Sequence, residues 1–262
     1  MTAPPSAAFL ANPKFDHRAP TIDNDATFVQ LRYLAQVITA HDDPELRAAF
    51  LRGFDYLLAA QYANGGWPQY FPLIKGYYTH ITYNDDAMAN VLTLLRDAAE
   101  ARPPYAFVDA ARRERAAAAV ERGVACILRS QIRQDGRLTA WCAQHDETTL
   151  APAPARKFEP ASLSGNESVG LVRFLMGMAS PTPEIIAAIE GATAWLQAVA
   201  LHGLRYEDFT ASDGREDRRT GPDPAAPAIW ARFYELGTNR PVYTGRDQIP
   251  RYDFNAIERE RR

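Results

Sequence analysis

An all-α repeat protein is what the sequence predicts, and three observations carry the prediction. Apolar residues recur along most of the chain at helical rather than alternating spacing. The helical segments come in pairs joined by short turns. Each second segment runs into glycine and then an extended aromatic stretch, and these glycines return at a near-constant interval: 70 residues from Gly66 to Gly136 and 67 from Gly136 to Gly203. Helix pairs at a steady period bury their apolar faces against neighbouring copies. Three hairpins closing on themselves make an α/α toroid, and left open they make a solenoid. Periodicity allows both.

The first pair comprises residues 27–40, with Phe28, Leu31, Leu34, Ala35 and Ile38 on one face, and residues 45–63, with Phe50, Phe54, Leu57, Leu58 and Tyr62. His41-Asp42-Asp43-Pro44 separates them, and Pro44 suits a first helical position, where its missing N–H has no partner to lose. The pairing recurs at 85–101 with 107–133, and at 165–179 with 183–201. After the three second helices come Asn64-Gly65-Gly66-Trp67-Pro68, the stretch from Asp135-Gly136 to Trp141, and His202-Gly203-Leu204-Arg205-Tyr206. Residues 1–20, rich in Pro and Ala, read as an irregular segment ahead of a single domain at 21–262. Residues 142–164, with Pro152, Pro154 and Pro160, form a loop of a length that is usually functional in a compact domain. Residues 210–229 are polar and Pro-rich and do not read as helix.

Composition removes several classes of function. Lys and Arg number 29 against 32 Asp and Glu, without a basic block, which argues against nucleic-acid binding. No run approaches eighteen apolar residues, so a membrane span is not expected. Cys126 and Cys142 cannot build a disulfide framework, and Cys142 beside His145 reads as a buried structural thiol before a nucleophile. The start, Met1 to Pro5, shows no export signal. The five histidines lack zinc spacing, and nucleophile-elbow, zincin, Walker and dinucleotide motifs are missing.

The chemistry-bearing residues are oxygen donors, cations and aromatics. In Ile81-Thr82-Tyr83-Asn84-Asp85-Asp86-Ala87-Met88, Asn84 or Asp85 reads either as a helix cap or, with Asp86, as part of a hard-cation site. Asp23-Asn24-Asp25 carries the same ambiguity. The long loop holds His145, Asp146, Glu147, Arg156, Lys157 and Glu159, braced by prolines. Arg156, Arg240 and Arg246 with Lys75 and Lys157 suit a polyanion bearing carboxylates, which guanidinium binds in a fork. Trp67, Tyr70, Tyr77, Tyr78 and Trp141 offer flat faces either for sugar rings or for core packing.

Read together, Asn64-Gly65-Gly66-Trp67-Pro68-Gln69-Tyr70-Phe71-Pro72 and Thr82-Tyr83-Asn84-Asp85-Asp86-Ala87-Met88 resemble the pectate lyases of polysaccharide lyase family 10. Thr21 to Thr27, Trp141 to Asp146, Phe158-Glu159-Pro160, Phe233 to Leu236, Asn239-Arg240-Pro241 and Gly245-Arg246-Asp247 extend the resemblance, in family order, to the end of the chain. It implies an (α/α)3 toroid and calcium-assisted β-elimination of polygalacturonate to 4,5-unsaturated oligogalacturonides. It further implies Arg156 as the base, calcium at Asp85 or Asp86, substrate carboxylates on Arg240, Lys157 and Arg246, and sugar stacking on Trp67 or Tyr78. A monomer acting in the periplasm or outside the cell is the matching expectation. Two departures, no earlier Gly-Gly-Trp-Pro segment and an end at Arg262, imply a toroid incomplete at its N-terminus. They leave a weak or inactive uronate-binding toroid, a truncated member of the family, as the alternative.

Overall fold

The computed structural model describes residues 19–262, so residues 1–18 of the segment expected to be irregular lie outside it. Six helices appear where the periodicity places them: α1 (Phe28–Ala40), α2 (Pro44–Ala60), α3 (Ala87–Ala99), α4 (Ala110–Ser130), α5 (Gly165–Met176) and α6 (Pro183–Ala198). Their starts have chemical causes. Asp43 accepts hydrogen bonds from the N–H groups of Glu45 and Leu46 at 2.7 and 3.2 Å, with Pro44 at the first helical position of α2. Asp109 caps α4 through Arg112 N at 3.0 Å, which moves its start from the expected 107 to 110. Thr182 and Pro183 open α6 in the same manner as Asp43 and Pro44 open α2.

Each hairpin pairs its own two helices, and the hairpins lie side by side. α3 packs against both α1 and α5, while α4 packs against both α2 and α6. The middle position explains why α3 buries eight of its residues, from Ala87 to Ala98, over nearly its whole circumference. Phe50, Phe54, Leu57, Leu92, Leu95, Ile127, Leu171 and Leu175 join one continuous core.

The exits from α2, α4 and α6 share a device. A helix end leaves carbonyls without intrahelical donors. The indole N–H of Trp67 donates to Leu57 O, that of Trp141 to Ile127 O and that of Trp230 to Leu196 O, each at 2.8 Å. In the first two hairpins the residue after the helix adds a second link. Gln61 donates from Nε2 to Gly65 O and to Ala119 O of α4, and Gln131 donates to Thr139 O and to Ala188 O of α6. Each amide thus ties its own turn to the next hairpin. Gly65 permits the close approach: φ is 96°, and a Cβ there would stand 2.0 Å from Arg122 O.

Short strands stitch the connecting loops together. β1 (Ile81–Thr82) pairs with β4 (Gln144–His145), β2 (Arg133–Gln134) with β3 (Arg137–Leu138), and β5 (Leu163–Ser164) with β8 (Phe233–Tyr234). His145 is fully buried, donating from Nδ1 to Leu150 O at 2.9 Å and accepting Cys142 N–H on Nε2 at 3.0 Å. This is the structural role expected for the Cys142–His145 pair, whose thiol is also buried. Residues 210–229, which do not read as helix, begin within a strand pair. β6 (Leu204–Thr210) and β7 (Glu216–Pro222) form an antiparallel hairpin, with Leu204 opposite Pro222 and Thr210 opposite Glu216. Both faces are largely exposed, so no apolar alternation marks it, although Asp213-Gly214 at its tip is a turn signal.

Two outcomes test these supports. Trp141→Phe keeps the ring but orphans a buried carbonyl, and should lower unfolding stability by about 1–3 kcal/mol; an unchanged denaturation midpoint would refute the capping role. Burial holds the His145 pKa at about 4, below its usual 6.5. The neutral ring is therefore the folded form, and stability falls as pH drops from 6.5 toward 4, by about 3 kcal/mol in all. His145→Gln should flatten that part of the melting-temperature profile.

Candidate active site

The turn ahead of α3 is where the chemistry begins. Asp85 and Asp86 are consecutive residues in the left-handed region, with φ of 51° and 59°. Aspartate visits that region more readily than most side chains, and such turns gather at functional sites. Neither Asn84 nor Asp85 caps α3, whose start carries no side-chain cap, so that expectation is corrected. Asn84 instead is pinned by its N–H on Ala143 O at 2.8 Å, donates from Nδ2 to Asp85 Oδ2 at 2.6 Å, and accepts from Arg232 Nη2 at 2.8 Å.

The two aspartates diverge. Asp85 is exposed, with Oδ1 3.8 Å from Arg232 Nη2. Asp86 packs against α5, where its Oδ1 is buried without a hydrogen-bond partner and a Cβ at Gly170 would stand 1.9 Å from it. Burial, then the Glu167 and Asp85 carboxylates, push its pKa up. It lines a separate cavity of about 360 Å³ beside Arg32, Arg96 and Arg173. The expected calcium ligand, Asp85 or Asp86, is thus one of two differently placed carboxylates, and Asp23 is a further carboxylate whose charge couples to that of Asp85. Asp23 is buried, accepts from Gln69 Nε2 at 2.6 Å, and leaves Oδ1 without a donor. Burial and the Asp85 charge raise its pKa, while Arg156 opposes the rise.

Arginines bridge this acidic turn to the long loop. Arg156 lays a fork on Glu159, Nε at 2.8 Å and Nη2 at 2.5 Å, and its own N–H reaches the same carboxylate at 3.1 Å. The fork raises the Arg156 pKa further above its ordinary value, so the resting guanidinium is a cation. Arg232 stands between three acids and an amide. Its Nη2 is 2.7 Å from the wholly buried Glu167, which also accepts from Ser164, and 3.9 Å from Glu159, with Asp85 and Asn84 on its other side. Asp23, Asp85, Glu159 and Glu167 outnumber Arg156 and Arg232 by two charges.

Beyond Glu159 the loop offers Phe158 to three guanidiniums, with Arg156, Arg246 and Arg261 carbons at 5.2, 5.9 and 3.5 Å from its ring centroid. Lys157 is exposed beside them. Tyr78 is half-buried, its ring 4.1 Å from that of Tyr77, which feels the Arg156 charge. Trp67 is placed otherwise than expected: wholly buried against α2, it presents no face to a sugar, which corrects its assignment as a stacking ring. Arg240 lies with its guanidinium carbon 3.7 Å from the Tyr252 ring centroid, beside Glu235, rather than on the Asp85–Arg156 network. Arg232, Glu167 and Arg261 are the residues to which sequence reasoning gave no role. Arg232 stands directly before Phe233-Tyr234-Glu235-Leu236, and that adjacency is the one signal that pointed to it.

A conjunction of buried carboxylates, paired arginines and half-buried tyrosines over a helical-hairpin scaffold narrows the field, and comparison with known proteins decides it. Residues 6–262 match the family Pec_lyase, pectic acid lyase. The chain belongs to the pectic acid lyase family. No curated protein matches the sequence. Solved structures do match the fold. A family 10 polysaccharide lyase from Cellvibrio cellulosa is 37% identical, with a TM-score of 0.85 over 93% of this chain and 75% of that one. An aspartate-to-alanine mutant of family 10 polysaccharide lyase from the same organism, in complex with trigalacturonic acid, is 36% identical with the same TM-score and coverage. Membership makes this chain a pectate lyase, a polysaccharide lyase acting on carbon–oxygen bonds.

The divergence of the two aspartates gives a test. Asp85→Asn removes a carboxylate from the open side and should lower lyase activity about 100-fold or more. Asp86→Asn relieves repulsion with Glu167 and should leave activity within about threefold. The reverse ranking in a polygalacturonate assay would show that Asp86 serves the reaction.

Proposed function

We propose that this chain cleaves polygalacturonate by β-elimination, leaving a 4,5-unsaturated uronide, on an (α/α)3 toroid formed by the three hairpins. The observation that carries the reading is the Asp23–Asp85–Arg232–Glu159–Arg156 network, in which two guanidiniums stand among three carboxylates and one buried carboxylate oxygen, Asp23 Oδ1, has no donor. A uronate C5 proton is too weakly acidic to leave while the adjacent carboxylate keeps its full charge. Arg232 and Arg246 supply guanidiniums, and Lys157 an ammonium, to neutralise such carboxylates. Arg156 then takes the C5 proton, the C5–H electron pair becomes the C4–C5 double bond, and the C4–O bond breaks, with the departing oxygen gaining a proton from water. For that role the guanidine must leave the Glu159 fork and lose its charge.

Calcium fits the donor set at Asp23 and Asp85. Both are hard oxygen ligands, Asp23 Oδ1 is buried without a donor, and the network carries two surplus negative charges. Among the described residues no three His, Cys, Asp or Glu side chains converge as a complete metal site, so substrate and water oxygens would fill the remaining positions. A bound cation would supply charge neutralisation at the substrate carboxylate. The described residues include no helix long and apolar enough to cross a membrane. The substrate is an external polymer, and secretion as a monomer completes the reading.

Arg156→Ala and chelation test it. With Arg156 as base, the substitution should lower kcat by about 10²–10⁴ with KM nearly constant, and a chelator should silence the wild type reversibly. A steep rise in KM at constant kcat would make Arg156 a carboxylate ligand, the role its fork on Glu159 resembles.

A further inference from the structure

The chain ends in a short 3₁₀ turn, Arg259–Arg261, whose charged side chains divide their work. Arg259 pairs with Asp213 at 2.7 Å and with Asp217 at 3.3 Å, and Arg262 pairs with Asp217 at 2.7 Å. Asp217 is buried within β7, so these bonds clamp the turn to the β6–β7 hairpin. Glu258 accepts the Arg246 N–H at 2.5 Å, and Glu260 pairs with the Arg246 guanidinium. Arg261 points the other way, onto Phe158, with its guanidinium carbon 3.5 Å from the ring centroid. Its strongest charge interactions are with two cations, Arg156 and Arg246, ahead of the acids Glu159 and Glu260. It also lines a cavity of about 710 Å³ that runs from Phe158 and Arg232 to Tyr206, Trp230 and Tyr243.

A turn that uses every other charge in ion pairs holds this one against like charge and an aromatic face. Such an arrangement lowers in energy when an anion enters. Consecutive units of a uronan bring a carboxylate every residue, so a neighbouring unit has a charge to offer Arg261. We propose that Arg261 is a specificity-determining residue that binds the carboxylate of a uronate unit neighbouring the one cleaved, so that the enzyme selects runs of unesterified uronate. The inference rests on the polygalacturonate reading and adds a recognition site to it. Arg261 takes no part in proton transfer, and the strap that carries it is set by Asp217.

The test is steady-state kinetics on polygalacturonate and on a partly methyl-esterified pectin. Arg261→Gln should raise KM for polygalacturonate about tenfold or more, the loss expected for a charge-assisted fork, with kcat within about twofold. The KM difference between the two substrates should shrink. Arg261→Lys should recover part of the affinity, and Asp217→Asn, which frees the strap, should shift KM in the same direction. An unchanged KM in Arg261→Gln, or a shifted kcat–pH profile at constant KM, would overturn the proposal, the second outcome showing that Arg261 acts on Arg156 instead. A wild type that leaves polygalacturonate intact would remove the functional reading and this one with it. A cleaving wild type matched by Arg261→Gln would remove this one alone.

Discussion

Three indole N–H groups on three helix-end carbonyls decide how the chain leaves each hairpin. Trp67, Trp141 and Trp230 satisfy acceptors that the ends of α2, α4 and α6 would otherwise bury unpaired, and they fold the following segments back over the helices. The glutamines at 61 and 131 extend the same turns to the next hairpin in line. With the exits fixed, the segments that follow meet one another as strand pairs, β1 with β4 and β5 with β8. Asp23, Asn84, Arg156, Glu167 and Arg232, scattered over two hundred positions, become neighbours through this route.

Electrostatics at that meeting point are deliberately unbalanced. Glu159 and Glu167 are buried, and Arg156 and Arg232 answer them with short ion pairs. Asp23 and Asp85 remain under-compensated, and Asp23 carries an unpaired buried oxygen. The left-handed backbone at Asp85 and Asp86 belongs to the same design, because two adjacent carboxylates part there: Asp85 is exposed beside Arg232, and Asp86 packs against α5.

How much of this was legible followed from which physics wrote it. The six helices were readable because burial imposes a 3.6-residue period, and Asp43, Pro44, Asp109 and Thr182 mark their starts in side-chain chemistry. The β6–β7 hairpin was not, since strands exposed on both faces carry no alternation. Acidic turns and the arginines of the long loop were visible as residue types. Their partners were not: whether Trp67 stacks on a sugar or caps a helix depends on what lies beside its nitrogen, and which of Asp85 and Asp86 is exposed depends on two backbone angles. Arg232 stands alone in its segment and acquires meaning only when Asn84 and Glu167 arrive from elsewhere in the chain.

The contact between Asp86 and Gly170 has a consequence for how the family can vary. Any side chain at 170 would collide with the carboxylate and push on the turn that aims Asp85. A methyl group midway along this helix, outside the reacting groups, would be accommodated only if the Asp86 side chain moved. Sequence drift at this point on α5 is thereby coupled to a residue of the turn ahead of α3, and the two positions should vary together.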